Sequence, residues 1–393
     1  MSLALTLWGA ALVVFWLGVF LDRARRWPAR LALRCVAGAP SGPVDDVAVA
    51  IPARDEAEVL DETLRSVLAQ REDFVHLVLV DDRSRDGTGD LARTLIREAG
   101  AGACAEVVAG SAPPAGWSGK LWALERAVAA IQSGPHAGRV RWILFTDADI
   151  RHPPGSIRAL RELALAAERD LVSVMVRLRA ETAWERLLVP AFVWFFQLMF
   201  PFRRVANPRS RVAAAAGGCV LVARDRFDSI DGFATIHAAV IDDVALARAV
   251  KRAGGRLWLG LCRDMVSVRR YVGLRPLVAM VARTAFDHLR YSWTLLATTL
   301  IALAVFFVAP PGLVLAALVL GEPLCGLGAS IAWGIQTAML MPAVRHHGVP
   351  PRWALALPIA SAIYIAMTAL SAWNHLEGRG PRWKGREVGR AAE

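Results

Sequence analysis

Leu3 to Leu21 runs for 19 residues without a charged side chain. A helix of that length crosses a bilayer, and no other feature limits the fold as severely. Lipid cannot hydrogen-bond a backbone, so such a run has to close its own bonds as a helix. Arg23, Arg25, Arg26, Arg30 and Arg34 follow at once. No basic stretch precedes the run and no small-residue cleavage site follows it. It reads as an uncleaved anchor that leaves the next part of the chain on the cytoplasmic side. The far end repeats the pattern. Apolar blocks run from about 293 to 320, 324 to 341 and 353 to 373, and the tail GRGPRWKGREVGR is basic. A cytoplasmic Arg290 and a cytoplasmic tail require an even number of crossings, but there are three blocks. Either one block is re-entrant or interfacial, or the first breaks at Pro310-Pro311 into two short pieces.

Between these ends, residues 44 to about 265 alternate short apolar runs with amphipathic ones. VAVAIP (Val47–Pro52), FVHLVLVDD, AEVVAG, WILFTDAD and DLVSVMV read as strands. EAEVLDETLRSVLAQ sets Val59, Leu60, Leu64, Val67 and Leu68 on one helical face. Thr88 after the Asp86-Gly87 turn and Ser118 before Gly119 are candidate helix caps. Alternating strands and helices predict an α/β domain with a mostly parallel sheet, whose ligands gather at the C-terminal strand ends. Leu187 to Phe202 is charge-free for 16 residues, short for a span, and Arg186 and Arg203-Arg204 bracket it. A crossing there would separate acidic motifs that belong to one edge of the sheet. The expectation is a helix lying in the membrane interface, aromatic face down, with a buried core helix as the alternative. The organisation expected is an anchor over 1–22, a basic linker over 23–43, a catalytic block over 44–290 including the interfacial helix 184–202, membrane segments over 291–375 and a basic cytoplasmic tail over 376–393.

Three expected strands end in acids: Arg54-Asp55-Glu56, Asp81-Asp82 and Asp147-Ala148-Asp149. In a parallel sheet these ends share an edge. Asp147 and Asp149, two residues apart, point to one side of an extended segment and repel unless a cation intervenes. Hard oxygen donors suit Mg²⁺ or Mn²⁺, which bind one or two carboxylates together with substrate phosphates. Asp82 can accept from a base imide or ribose hydroxyls. Glu56 and Asp55 at the neighbouring tip read either as ligands or as helix-capping acids. Lys120 opens a helix, where a cation opposes the dipole, so it needs another reason to be there, and a phosphate provides one. Asp242 and Asp243 open another helix, either as caps or with a general base among them. GxxxxGK[ST] and GxGxxG are absent.

AIPARDEAEVL, VLVDDRSRDGT, GWSGKLWAL, FTDAD, IDDVALARAVKRAG and HLRYSW, in this order over residues 47 to 293, resemble the family 2 inverting glycosyltransferases of the GT-A fold, in their membrane-bound branch. The chain is most similar to the bacterial hopanoid-biosynthesis-associated glycosyltransferases; ceramide and carotenoid glycosyltransferases are more distant. The resemblance implies a GT-A nucleotide-diphospho-sugar transferase fold with transmembrane helices at both ends. It implies a donor site of Pro52, Arg54, Asp55, Glu56, Asp82, Lys120, Asp147 and Asp149, with Asp82 at the uracil-binding position and Asp149, with Asp147, on Mg²⁺ or Mn²⁺. Asp243 matches the base and Arg290 the arginine of a Q/R-x-x-R-W motif, with Trp117, Gly218 and Asp242 on the acceptor side. The motif here reads Asp287-His288-Leu289-Arg290-Tyr291; its first and last positions differ, which argues against a processive polymerase.

The implied reaction moves a sugar from a nucleotide-diphosphate donor, a UDP-sugar, to a lipid acceptor such as a hopanoid. The enzyme would be multi-pass in a bacterial-type inner membrane, with its catalytic domain cytoplasmic. A polyprenyl-phosphate sugar synthase and a non-catalytic nucleotide-binding membrane protein are the alternatives. The net charge of +11 sits beside apolar segments and no nucleic-acid motif is present, so anionic lipid headgroups, and other lipid-biosynthesis enzymes, are the expected partners and nucleic acid is not. Five scattered cysteines without a CxxC pair point away from a disulfide framework or a zinc site.

Overall fold

A computed structural model of the chain describes residues 2–22, 32–33, 44–379, 382–383 and 386–387. Cys35, the linker arginines and most of the basic tail lie outside the described residues. By packing, the chain sorts into two compact units.

The α/β unit takes in residues 29–178 and 202–269. Its strands are β1 (Ala32–Leu33), β2 (Val47–Ala53), β3 (His76–Asp81), β4 (Ala105–Ala109), β5 (Trp142–Thr146), β6 (Ile150–Arg151), β7 (Leu171–Arg177), β8 (Cys219–Ala223) and β9 (Leu257–Ser267). They form one sheet in the order β1-β9-β7-β8-β5-β2-β3-β4, with β6 paired to β9. β8 is antiparallel to both neighbours and β6 to β9; the other pairings are parallel. The sheet is mostly parallel and mixed, with helices flanking it, as the alternation predicts.

All seven positions of β2 and all five of β5 are buried, the mark of central strands covered on both faces. A proline inside β2 looks out of place there. The Val47 and Ala53 carbonyls accept from Val75 and Asp82 on the β3 side, each at 2.8 Å. Pro52, out of phase with them, turns toward β5, where pairing has already stopped at Ala50. Its missing N–H therefore removes no ladder bond. Helix Ala57–Leu68 buries Leu60, Thr63, Leu64, Val67 and Leu68. Each buried leucine contributes about 1.5–3 kcal/mol.

The second unit takes in residues 1–28, 179–201 and 270–379. Four of its helical segments are long and apolar enough to cross a membrane: Leu3–Leu21, Trp293–Leu320, Pro323–His346 and Pro351–Leu376. Of the two alternatives, the break at Pro310-Pro311 does not occur. A π-helical turn over Leu303–Val308 leads into helix Ala309–Leu320, which carries both prolines. Two successive residues without an N–H leave the Phe306 carbonyl short of a donor at both i+4 and i+5. It accepts instead from Trp16 Nε1 at 2.9 Å and Gln336 Nε2 at 2.8 Å. Neighbouring side chains re-satisfy the freed group, which is how apolar helices tolerate proline.

The helix expected to lie aromatic face down in the interface spans Ala183–Met199; most of its positions are buried, while Trp184 and Met199 are exposed. Leu187, Val193, Trp194, Phe196 and Gln197 are among its buried positions, and Tyr364 Oη donates to the Leu188 carbonyl at 3.0 Å. The helix groups with the apolar segments rather than with the 44–290 block. Its start is fixed by a capping box: Thr182 Oγ1 accepts from the Glu185 amide at 3.3 Å, and the Glu185 carboxylate accepts from the Thr182 amide at 2.9 Å.

Candidate active site

Parallel register makes the site. Ala53 pairs with Asp81 across β2 and β3, and Ala50 with Phe145 across β2 and β5. The acid-tipped ends of these three strands therefore share one edge. β8 runs the other way, so its first residues arrive at the same edge: Thr146 pairs with Cys219. The Gly218 carbonyl accepts from Thr146 Oγ1 at 3.0 Å and from the Asp147 amide at 3.3 Å.

At the β2 and β3 tips, Arg54 Nη1 donates to the Asp82 carbonyl at 2.7 Å and lies 3.6 Å from its carboxylate. Asp82 is buried, and the loop after β4 closes on it: a Cβ on Gly110 would come within 2.8 Å of the Asp82 Cα. Only glycine permits that approach. Asp55 adopts a left-handed backbone, φ 49°, with its amide 3.0 Å from Ser84 Oγ and its Oδ1 accepting from the Arg85 amide at 2.8 Å. The expected caps are redistributed. Asp86, not Thr88 or Glu56, does the capping: its Oδ2 accepts from the Ala57 amide at 2.9 Å and its Oδ1 from the Thr88 amide at 3.1 Å. Glu56 is thereby released for another partner.

That partner is Arg269, two residues past the end of β9. Its Nη2 spans both Glu56 oxygens at 2.7 and 2.9 Å, and its Nε donates to Asp149 Oδ2 at 3.0 Å. Ser267 Oγ donates to the same oxygen at 2.8 Å. The β6–β9 pairing, Ile150 with Ser267, and the Val268 amide bond to the Asp149 carbonyl at 2.9 Å bring the three side chains together.

At the β5 tip, Lys120 Nζ lies 2.9 Å from Asp147 Oδ1 and 3.1 Å from Asp242 Oδ2. Ser118 caps the lysine's helix as expected, accepting from the Leu121 amide at 3.2 Å. Burial alone would depress the ammonium, but Asp147 and Asp242, with Asp243, hold it above its ordinary range. Asp243 is pushed up to about 7 by burial and by the Asp242 charge, against the pull of Lys120 and the Val244 and Gly217 amides. Its Oδ1 accepts from the Val244 amide at 2.7 Å, and a Cβ on Gly217 would stand 3.2 Å from Oδ2. Pro52, Lys120, Asp147, Gly217, Asp242 and Asp243 line one recess. Trp117, three residues before Lys120, precedes Ser118, whose amide donates to the His237 carbonyl at 2.9 Å, and its indole lies 5.6 Å from the His237 ring.

Asp55, Glu56, Asp82, Asp147, Asp149, Asp242 and Asp243 thus share this edge with Arg54, Lys120 and Arg269. Their oxygens suit a hard divalent ion. Asp147 uses Oδ1 on Lys120, and Asp149 uses Oδ2 on Ser267 and Arg269, so each keeps a second oxygen for a metal. Among the described residues no group of three or more acids, histidines or cysteines forms a ready-made metal cage. Two protein oxygens, with a ligand's phosphates completing the shell, is the pattern the donors fit. Arg290 belongs to the other unit, in a turn with φ 54° whose amide donates to the Asp287 carbonyl at 2.8 Å. The reading of the sequence missed Arg269, Ser267, Gly217 and Gly110; the polar end of SVRRY is the one visible signal for the first two.

No curated protein sequence matches the chain. Mannosyltransferase PcManGT from Pyrobaculum calidifontis, solved with GDP-Man and Mn²⁺, is similar in fold: TM-score 0.55 and 19% identity, over 95% of this chain and 99% of that one. Glucosyl-3-phosphoglycerate synthase from Mycobacterium tuberculosis, solved with Mn²⁺, UDP and phosphoglyceric acid, aligns at TM-score 0.40 and 20% identity, over 62% of this chain and 78% of that one. TarS from S. aureus aligns at 0.37 and 12%, over 62% and 40%. Residues 48–230 match the family described as Glycosyl transferase family 2, and the mostly parallel mixed sheet with flanking helices is GT-A-like.

Proposed function

We propose that the chain is a membrane-bound inverting glycosyltransferase that moves a sugar from a nucleotide-diphosphate donor, a UDP-sugar, to a hydroxyl of a lipid. The observation that carries this is Asp243: a carboxylate held near pH 7 in the recess where Lys120 and Asp147 meet. A general base works best with a pKa near the working pH. An acceptor that is already an anion, such as a polyprenyl phosphate, needs no base, so this carboxylate favours an alcohol acceptor.

Asp243 takes the acceptor proton; the oxygen bonds to the anomeric carbon from the face opposite the leaving group, and the bond to the diphosphate breaks with inversion. Asp82 and Asp55 hold the nucleoside end. Asp147 and Asp149 would hold Mg²⁺ or Mn²⁺, whose charge neutralises the diphosphate. Lys120 keeps Asp147 and Asp242 from repelling each other and positions them. The four long apolar helices support a lipid acceptor, a cytoplasmic-face inner-membrane location and contact with anionic headgroups. Within that class, the sequence resemblance favours a hopanoid.

The test is sugar transfer from a labelled UDP-sugar into a lipid extract by the purified full chain, with Asp149→Asn and Asp243→Asn beside it. Each variant loses about 10²-fold or more in rate. Near-normal turnover by both would rule the mechanism out. A product cleaved by mild acid would point to the sugar phosphate instead of the glycoside.

A further inference from the structure

One cation at the site has no part in the proposed reaction. Arg269 lies between Asp149 and Glu56, bound to one oxygen of the first and both of the second. All three side chains are at least two-thirds buried. We infer that Arg269 is a built-in counter-ion: it occupies the cationic place at Asp149 until a divalent ion arrives, and that ion, entering at the carboxylate's other oxygen, competes with the Arg269 Nε for its charge and loosens it. The inference rests on the reading that Asp149 ligates the metal.

The geometry gives two physical reasons. Two carboxylates brought together by folding, with no cation between them, would repel in a partly dry setting, and the guanidinium removes that cost in the metal-free chain. One nitrogen, Nη2, lies 2.7 and 2.9 Å from the two Glu56 oxygens, the closer half of the contact, while Asp149 is held through Nε at 3.0 Å. Loosening at Asp149 therefore leaves Arg269 tethered by Glu56 at the edge of the site. A free divalent ion meets both a competitor and a positive neighbour, so it should bind weakly without the diphosphate that brings further negative charge. This makes donor and metal binding mutually supportive, a coupling between ligands of the usual size for such effects, roughly 5- to 150-fold.

The experiment is Mn²⁺ binding to the full chain in detergent without nucleotide, followed by the electron paramagnetic resonance signal of free Mn²⁺. Arg269→Gln is expected to bind Mn²⁺ about tenfold more tightly than the wild type. Arg269→Lys, which keeps the charge, stays near the wild type. Asp149→Asn abolishes the gain when combined with Arg269→Gln. Equal or weaker Mn²⁺ binding by Arg269→Gln overturns the inference while leaving the metal reading intact. Mn²⁺ binding that ignores Asp149→Asn, with UDP present as well, overturns both. A second measurement needs no substitution at Arg269. Phenylglyoxal labelling of Arg269 in the wild-type chain, read by peptide mass spectrometry, should speed up several-fold on adding Mn²⁺ and UDP; unchanged or slower labelling overturns the inference.

Discussion

The two edges of the one sheet are both rich in charge, and they handle it in opposite ways. At the N-terminal ends of β2, β5 and β7, arginines and acids are paired nearly one to one: Arg139 with Asp45 at 3.1 Å, Arg161 with Asp46 at 2.8 Å, Arg224 with Asp228 at 3.5 Å and Arg226 with Asp170 at 3.6 Å. At the C-terminal ends, carboxylates outnumber cations, and each cation is shared: Lys120 between Asp147 and Asp242, Arg269 between Asp149 and Glu56. Balanced pairs on a surface contribute about 0–1 kcal/mol each and ask for nothing further. A surplus of partly buried negative charge is kept at a cost, and a ligand that supplies positive charge relieves it. The balance of charge and the sharing of partners together separate the two edges.

That contrast can be broken experimentally, and the largest effect belongs to Lys120. Lys120→Met removes the cation that two carboxylates share, and transfer rate should fall about 10²-fold or more, while Arg161→Met at the opposite edge leaves the rate unchanged. Comparable losses in both would erase the distinction. The pH dependence sharpens it. If Asp243 is the base, kcat should rise with pH through an acid limb near 7, and any residual rate in Asp243→Asn should lack that limb.

A smaller effect is on stability. The folded-state pKa of Asp243 is raised, so the folded chain holds this proton more tightly than the unfolded chain. The group's contribution is fully present below about 4, the unfolded value, and is lost as pH rises through about 7. Asp243→Asn should therefore raise Tm at pH 8, by ~2–4 °C for each kcal/mol relieved, and raise it less at pH 5. A lower Tm at pH 8 would mean the carboxylate stabilises the fold. The smallest effect is Arg139→Ala, which removes the exposed pair with Asp45 and should cost about 0–1 kcal/mol of stability, read by denaturant unfolding, with activity retained.

Much of this was written in local pattern. The strand ends Asp55-Glu56, Asp82 and Asp147-x-Asp149 are visible because a parallel sheet sends its C-terminal ends to one edge whatever the loop lengths. The Ser118 cap and the four apolar segments follow from rules that act within a few residues. What the pattern misassigned was partnership. Thr88 and Glu56 both satisfy a capping rule, but Asp86 reaches both helix starts from the Asp-Gly turn and displaces them. Leu187–Phe202 has the composition of an interfacial helix, and most of its positions are buried. Pro310-Pro311 forbids two backbone bonds, and only a side chain nearly three hundred residues earlier, Trp16, together with Gln336, makes the unbroken helix tolerable.

The sequence by itself determined which segments are apolar enough to cross a membrane, which alternate as strand and helix, and which strand tips are acidic. Those properties depend on residues near one another along the chain. The tertiary structure alone decided that β8 runs backward to bring Gly217 against Asp243, and that β9 delivers Arg269 between Glu56 and Asp149. Such pairings depend on the register of strands far apart in sequence. The strength of a charge depends on what surrounds it, and those surroundings exist only once the chain has folded.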